Sequence, residues 1–321
     1  MAIVLGSNRY GKAETRLVRV TRAGDTHALI DLNVSVALSG ELAATHLTGD
    51  NAGVLPTDTM KNTVYAFARE HGVGSPEEFG LLLARHFVAT QPQVTGAVVG
   101  LESFGWERLG PHSFRRAGDF VRTATVIVSL TGEQVVSGLK DLVLLNSTAS
   151  EFHGYPRDRY TTLPETTERI LSTAVDARWR HRSTAADWDE SFEGAKDAMV
   201  NAFVNTYSYS LQQTLFSMGS RVLDSRSEIA EIRLALPNKH HYLVDLSPFE
   251  LENPNEVFIA GDRPYGLIEG TVTRDDVPPS RDGVVSVIVY TAPTAGRIAE
   301  LSSRKRIVKV RKVRNTLGPI R

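Results

Sequence analysis

Cysteine is absent from the 321 residues of this sequence. Its absence excludes disulfide bonds, thiolate metal sites and a cysteine nucleophile, and it is compatible with a reducing compartment. The longest dense apolar run, residues 284–290, is too short to cross a bilayer. Residues 1–12 lack the charged segment and the long apolar segment of a signal peptide. These features predict a cytoplasmic protein.

Motifs for common cofactors are also missing. The sequence has no HExxH, no GxGxxG, no phosphate-binding Walker loop and no serine-hydrolase elbow. Among its nine histidines only His240 and His241 are close together, and neighbours in a strand point to opposite faces. We therefore expect neither a metal nor an organic cofactor.

Charge is nearly balanced over the whole chain, and hydrophobic residues make up 41% of it. The net charge of −1 disfavours a general nucleic-acid binder, and the composition allows a substantial core. Residues 297–321 differ, with nine lysines or arginines against the single acid Glu300. This tail is either a solvated segment or a contact for an anion or nucleic acid.

Periodicity predicts the order strand, strand, helix, helix, strand, strand in the first half of the chain, and the second half repeats it with one further strand. The first half has strands at 12–22, 27–38, 93–108 and 113–130, with helices from 59 and from Ser75. The second half has strands at 139–147, 174–181, 229–236, 242–246 and 267–273, with helices after Asp187 and Ser210.

This order predicts an α+β fold in which antiparallel sheets carry helices on one face. We assign residues 1–135 to a first ββααββ unit, 136–275 to a second, and 276–321 to a linker and basic tail. The uncovered face of the sheet needs a cover, and a partner subunit is the simplest one.

The chain around Pro56 begins a helix whose first turn could bind an anion. Pro56 precedes Thr57, Asp58 and Thr59, whose short oxygen-bearing side chains can cap free backbone N–H groups. The positive end of a helix can also receive an anion. An ordinary capped helix and an anion site are both compatible with this stretch.

Other polar clusters are dense and resemble a known family, urate oxidase (uricase). The matching stretches run in the family's order: Tyr10-Gly11-Lys12, 56–69, 152–171, 211–219, 236–241, 254–258 and 264–269. The resemblance covers most of the chain and stops before the tail. It implies the tunnelling fold: tandem ββααββ units whose sheets assemble into barrels in a homotetramer, with active sites at subunit interfaces.

The resemblance also implies roles for individual residues. Phe152 would stack on the purine ring, Arg169 and Gln212 would bind opposite edges of urate, and the Leu211 backbone N–H would add a contact. Thr57 and Asp58 would approach from the neighbouring subunit. Lys12 and Thr57 would form a catalytic dyad that helps to deprotonate urate. Asn238 and His240 would lie over the ring, where dioxygen and then water bind.

The implied activity is cofactor-independent oxidation of urate by dioxygen and water to 5-hydroxyisourate and hydrogen peroxide. Urate itself supplies the electrons, so the missing cofactor motifs are compatible with this activity. Three alternatives stay open from the residues: a pterin-type enzyme of the same fold, a catalytically idle purine-binding module, and a nucleic-acid-binding module that uses the basic tail.

Overall fold

An antiparallel sheet of eight strands runs through both halves of the chain. We describe it from a computed structural model, which covers residues 1–261 and 263–277. Strands β1–β12 are Tyr10–Ala23, Thr26–Gly40, Val94–Ser103, Trp106–Arg108, Phe114–Arg116, Val121–Ser129, Gly132–Asn146, Leu171–His181, Ile229–Asn238, His241–Leu243, Phe258–Ala260 and Gly266–Thr273. Helices α1–α5 are Ala43–Thr48, Thr57–Glu70, Pro76–Thr90, Trp188–Asn205 and Leu211–Ser225.

The order of the large sheet is β1-β2-β3-β6-β7-β8-β9-β12, and every neighbouring pair is antiparallel. The remaining strands form two small hairpin sheets, β4-β5 and β10-β11. The predicted α+β class with an antiparallel sheet is thereby confirmed. No helix in the described ranges is long and apolar enough to cross a membrane.

Local sequence chemistry explains several element ends. Gly24, with a φ of 59°, turns β1 into β2, a backbone conformation that glycine adopts without steric cost. The side chains of Ser75, Asp187 and Ser210 each accept a hydrogen bond from the backbone N–H three residues later, at 3.0–3.2 Å. These three helix starts therefore confirm the sequence-based prediction.

Two of the predicted strands were each expected to be continuous, and this prediction is wrong because each is divided into two strands. The runs 93–108 and 113–130 each contain a long strand of the main sheet and a short strand of the β4-β5 hairpin. Buried Asp31 on β2 anchors this hairpin, accepting hydrogen bonds from Trp106 Nε1 at 3.0 Å and Arg116 Nη1 at 2.9 Å. Such distant partners leave no periodic signal. Helix α1 and strand β11 were not predicted, and residues 284–290 and the basic tail from 297 lie outside the described ranges.

The four long helices pack on one face of the sheet over two hydrophobic cores. Met60 and Val64 of α2 join Phe79 and Phe87 of α3 in the first core, with inward residues of β2, β3 and β6. The second core contains inward residues of helices α4 and α5 and of strands β7, β8, β9 and β12. Directly opposed residues of an antiparallel pair share a face, so the strand registers place both cores on the same side.

A buried polar cluster connects the elements of the two cores. Ser137 on β7 donates its hydroxyl proton to Glu77 on α3 at 2.6 Å, and His181 Nε2 lies 2.9 Å from the same hydroxyl. Arg122 donates to the other oxygen of this carboxylate at 2.8 Å. Because the single hydroxyl proton goes to Glu77, His181 donates from Nε2. Burial lowers the pKa of His181 to about 4, so the ring is neutral at pH 7.

This neutral histidine predicts a pH dependence of stability. Between pH 6.5 and about 4, unfolded His181 binds a proton that the folded protein excludes, so the free energy of unfolding falls as pH falls. The full effect is about 3 kcal/mol. His181→Gln cannot titrate and should lose less stability over this range, measured by urea unfolding at several pH values. Glu77, whose pKa is raised mainly by burial, is present in both proteins.

The exposed His112→Gln variant is the matched control and should keep the pH dependence of the parent. Parallel stability curves for the parent and His181→Gln would show that the buried ring does not titrate as described.

Candidate active site

Lys12 lies near the start of β1 and faces the helices. Its cross-strand partner is Val36, a buried residue of the first core, and paired residues point to the same side of the sheet. The Lys61 ammonium, and to a smaller extent Lys12, lowers the pKa of the Asp58 carboxyl at the start of α2. The structure therefore brings Lys12 and the first turn of α2 together within one chain.

The first turn of α2 has free backbone donors. The side chains of Thr57, Asp58 and Thr59 are able to cap a helix, but Pro56 is the N-cap and no side chain caps this turn. Asp58 instead accepts hydrogen bonds from Lys61 and from Asn62, the latter at 3.0 Å. The Thr57 hydroxyl and the N–H groups of Thr57 and Asp58 have no partner among the described residues. An anion can be received there without displacing a cap.

Phe152 and Arg169 form a second group of candidate residues. Phe152 is half-buried and is held by two backbone hydrogen bonds with Thr166, at 2.8 and 3.1 Å. The Arg169 Cζ atom lies 5.3 Å from the centre of the Phe152 ring. Tyr155 stacks on the ring at 4.9 Å with an interplanar angle of 17°. A planar cation thus lies over a fixed, half-buried aromatic ring, and both groups are suited to recognition of a flat ligand.

Asn238 and His240 lie beside this second group. Asn238 ends β9 and pairs with Thr173 near the start of β8. The pKa of His240 is lowered mainly by burial, and also by the positive charge of Arg169. That coupling places His240 near Arg169 and favours its neutral form at pH 7.

The start of α5 is linked to the same group through the backbone. Glu151 N–H donates to Ser208 O at 2.9 Å, so the segment that carries Phe152 runs beside the loop that enters α5. Leu211, the first residue of the helix, has a buried side chain, and its backbone N–H has no partner among the described residues. Gln212 is exposed, and residues 1–261 and 263–277 provide no partner for its side chain.

Three supporting residues of this group were not predicted individually. Ser150 binds Arg169, Tyr155 stacks on Phe152, and Glu151 accepts a hydrogen bond from the Tyr207 hydroxyl at 3.0 Å. The stretch around Ser150 is visibly rich in polar residues. However, the contact between Glu151 and Tyr207 joins positions 56 residues apart, and no sequence period reveals it.

The two groups are far apart in one chain. Strand β1 is the first strand of the sheet and β9 is the seventh, so six inter-strand spacings separate them, or about 29 Å along the sheet. Both strands run in the same direction, and Lys12 lies near the start of β1 whereas Asn238 ends β9. Lys12 and Asn238 therefore lie near opposite ends of the sheet. In the described part of the chain, no group of three or more His, Asp or Glu side chains could hold a metal ion.

The proximity of Arg169 and His240 predicts a measurable pKa change. Arg169→Gln removes a positive charge that disfavours protonation of His240, so the pKa of His240 should rise. The pH midpoint of His240 modification by diethyl pyrocarbonate, followed by mass spectrometry, should move upward. Arg221→Gln, an exposed change on α5, should leave the midpoint unchanged. An unmoved midpoint in Arg169→Gln would contradict the placement of the two side chains.

Known proteins share both the sequence and the fold. The family model named Uricase matches residues 8–127 and 135–269. A uricase from Arthrobacter globiformis is 50% identical over 275 residues, which cover 85% of this chain and 91% of that protein. A uricase from Dictyostelium discoideum is 40% identical, with coverage of 83% and 96%.

Solved structures agree with these sequence relationships. The crystal structure of uricase from Arthrobacter globiformis has a TM-score of 0.86 and 49% identity, and the likeness covers 88% of this chain and 99% of that one. A uricase from Bacillus fastidious has a TM-score of 0.72 with coverage of 84% and 94%, and at 22% identity it shows the fold alone. The resemblance seen in the sequence motifs is thus confirmed, and the chain belongs to the uricase family.

Proposed function

We propose that this protein is a cofactor-independent urate oxidase. It converts urate, dioxygen and water to 5-hydroxyisourate and hydrogen peroxide, in the cytoplasm. The observation that carries the proposal is the Arg169 guanidinium beside the half-buried Phe152 ring, in a chain that belongs to the uricase family. Urate is a flat anion with donors and acceptors around its edge, and these two side chains suit its face and its edge.

Substrate recognition uses the group around Phe152. The purine stacks on the Phe152 ring, and the planar fork of Arg169 binds one edge through two parallel hydrogen bonds. The exposed amide of Gln212 binds the opposite edge, and the Leu211 N–H at the start of α5 adds a donor.

The catalytic group comes from a second chain. Lys12, on β1 beside the first turn of α2, lies six inter-strand spacings from Asn238, so one chain cannot close the site around a ligand as small as urate. We propose a homotetramer in which residues 1–135 and 136–275 are tandem ββααββ units whose sheets form barrels. Lys12, Thr57 and Asp58 of one subunit then meet the Phe152 group of its neighbour, and residues 276–321 are a linker and a tail.

Proton transfer begins the reaction. The Thr57 hydroxyl takes a proton from urate and passes its own to the Lys12 amine, with the free N–H groups of α2 stabilising the resulting dianion. Lys61 binds Asp58, so the carboxylate near Lys12 already has a counter-charge.

Electron transfer and hydration complete the reaction. The dianion gives two electrons to dioxygen in successive steps, through a peroxide on the purine ring. Water then adds to the ring, and the peroxide leaves as hydrogen peroxide with the protons released by urate and water. Asn238 holds first dioxygen and then water over the ring, and neutral His240 accepts and returns a proton.

The direct test is to mix metal-stripped protein with urate and to follow its ultraviolet absorbance together with dissolved oxygen. The proposal requires equal molar loss of urate and oxygen, with one equivalent of hydrogen peroxide formed. Urate binding without oxygen uptake would show a purine-binding module instead of an oxidase.

The dyad predicts large losses of turnover. Lys12→Met and Thr57→Val should each lower kcat by about 10²–10⁴-fold, the contribution of a positioned general base, with a smaller change in urate binding. Lys196→Met, on α4 with its ammonium beside Glu193 and the Phe120 ring, should keep the parental kcat. Melting midpoints must be compared first, because Thr57 also begins α2. Parental turnover in the Lys12→Met, Thr57→Val double variant would exclude the dyad.

Removing the edge contact should instead affect binding. Arg169→Gln should raise KM by about tenfold to a hundredfold, the loss expected for hydrogen bonds from a charged group, with kcat less affected. Steady-state kinetics over a wide urate range measure both constants, and Arg221→Gln is the matched control. A KM equal to that of the parent would remove Arg169 from the site.

A further inference from the structure

Ser150 binds Arg169 through both its main chain and its side chain. The Arg169 N–H donates to Ser150 O at 2.9 Å, and Arg169 Nε donates to Ser150 Oγ at 3.2 Å. Ser150 itself has no exposed surface. One buried residue thus holds both the backbone and the Nε end of the Arg169 guanidinium. Without these contacts the side chain would be free to rotate about several bonds.

This attachment decides which edge of the guanidinium stays free. A guanidinium can bind a flat ligand through its side, with Nε and one terminal nitrogen, or through its end, with both terminal nitrogens. Ser150 occupies Nε, and no described residue accepts a hydrogen bond from the terminal nitrogens. The end of the fork therefore remains available as a pair of parallel donors.

Ser150 is held in place by a second segment of the chain. It forms a parallel bridge with buried Ser208, whose hydroxyl accepts a hydrogen bond from Thr214 of α5 at 2.8 Å. Ser208 N–H also donates to Ala149 O at 2.9 Å. The position of Arg169 is thereby tied to the start of α5, which carries Leu211 and Gln212.

We propose that Ser150 is a positioning residue of the urate site, which holds Arg169 so that its two terminal nitrogens face the ligand edge. The inference rests on the proposed function and extends it to a buried residue that does not touch the ligand. Since a bidentate contact depends on the orientation of the guanidinium plane, losing the Nε hydrogen bond weakens both ligand contacts together.

The test is a double-mutant cycle of Ser150→Ala and Arg169→Ala. Urate affinity is measured without oxygen, so that the bound substrate is not consumed. Ser150→Ala should raise the dissociation constant for urate by about tenfold, the effect of losing one hydrogen bond to a charged group. In the Arg169→Ala background the same change should alter affinity by less than about twofold, because the side chain that Ser150 positions is gone.

A matched control separates positioning from the general cost of a buried serine. Ser191 is also buried, and its Oγ donates to the Glu228 carboxylate at 2.7 Å, away from the site. Ser191→Ala should keep parental urate affinity. Should Ser150→Ala fail to fold, Ser150→Cys fills nearly the same space with a weaker acceptor, and it should show the same direction of change.

The outcomes distinguish this inference from the proposed function. A parent protein that binds urate, with unchanged affinity in Ser150→Ala, would overturn the positioning role alone. An equal loss with and without Arg169 would overturn it as well, since the effect would then be structural. A parent protein that does not bind urate would overturn both proposals.

Discussion

The continuous hydrogen bonding of one antiparallel sheet is the constraint on which the rest of the structure depends. Because β1 and β9 are six strands apart and run in the same direction, Lys12 and Asn238 lie near opposite ends of the sheet. Side chains cannot cover such a distance. The fold therefore separates the group around Lys12 from the group around Phe152 within each chain.

Each group is nevertheless well organised within the chain. The start of α2 presents free N–H groups next to Lys12, and Asp58 is occupied by Lys61 and Asn62 instead of capping the helix. In the other group, Arg169 lies just before β8 and His240 just after β9, and the pairing of these two strands brings the residues together. Burial lowers the pKa of Arg169 and is the main cause that lowers the pKa of His240, so both side chains have limited access to water. Electrostatic interactions are stronger in such an environment than in bulk water.

Local chemistry made much of the fold predictable. Alternating residues in β2 and the caps at Ser75, Asp187 and Ser210 act within a few positions, so the sequence shows them directly. The β4-β5 hairpin was missed because its anchor, Asp31, binds Trp106 and Arg116 across 75 and 85 positions. Similarly, family motifs indicated Phe152 and Arg169, whereas only the folded chain shows that Ser150 accepts hydrogen bonds from Arg169. Strand pairing over long separations creates such contacts, and no residue period records them.

Complementation between two impaired chains tests the shared site most directly. Lys12→Ala and Arg169→Ala each change a different group, so with urate kept below the parental KM either protein alone should oxidise it at less than about a tenth of the parental rate. When the two chains are unfolded together and reassembled, about a quarter of the sites should combine an intact group from each chain, and urate oxidation should return to about that fraction. A reassembled mixture no more active than the separate variants would contradict a site built from two chains.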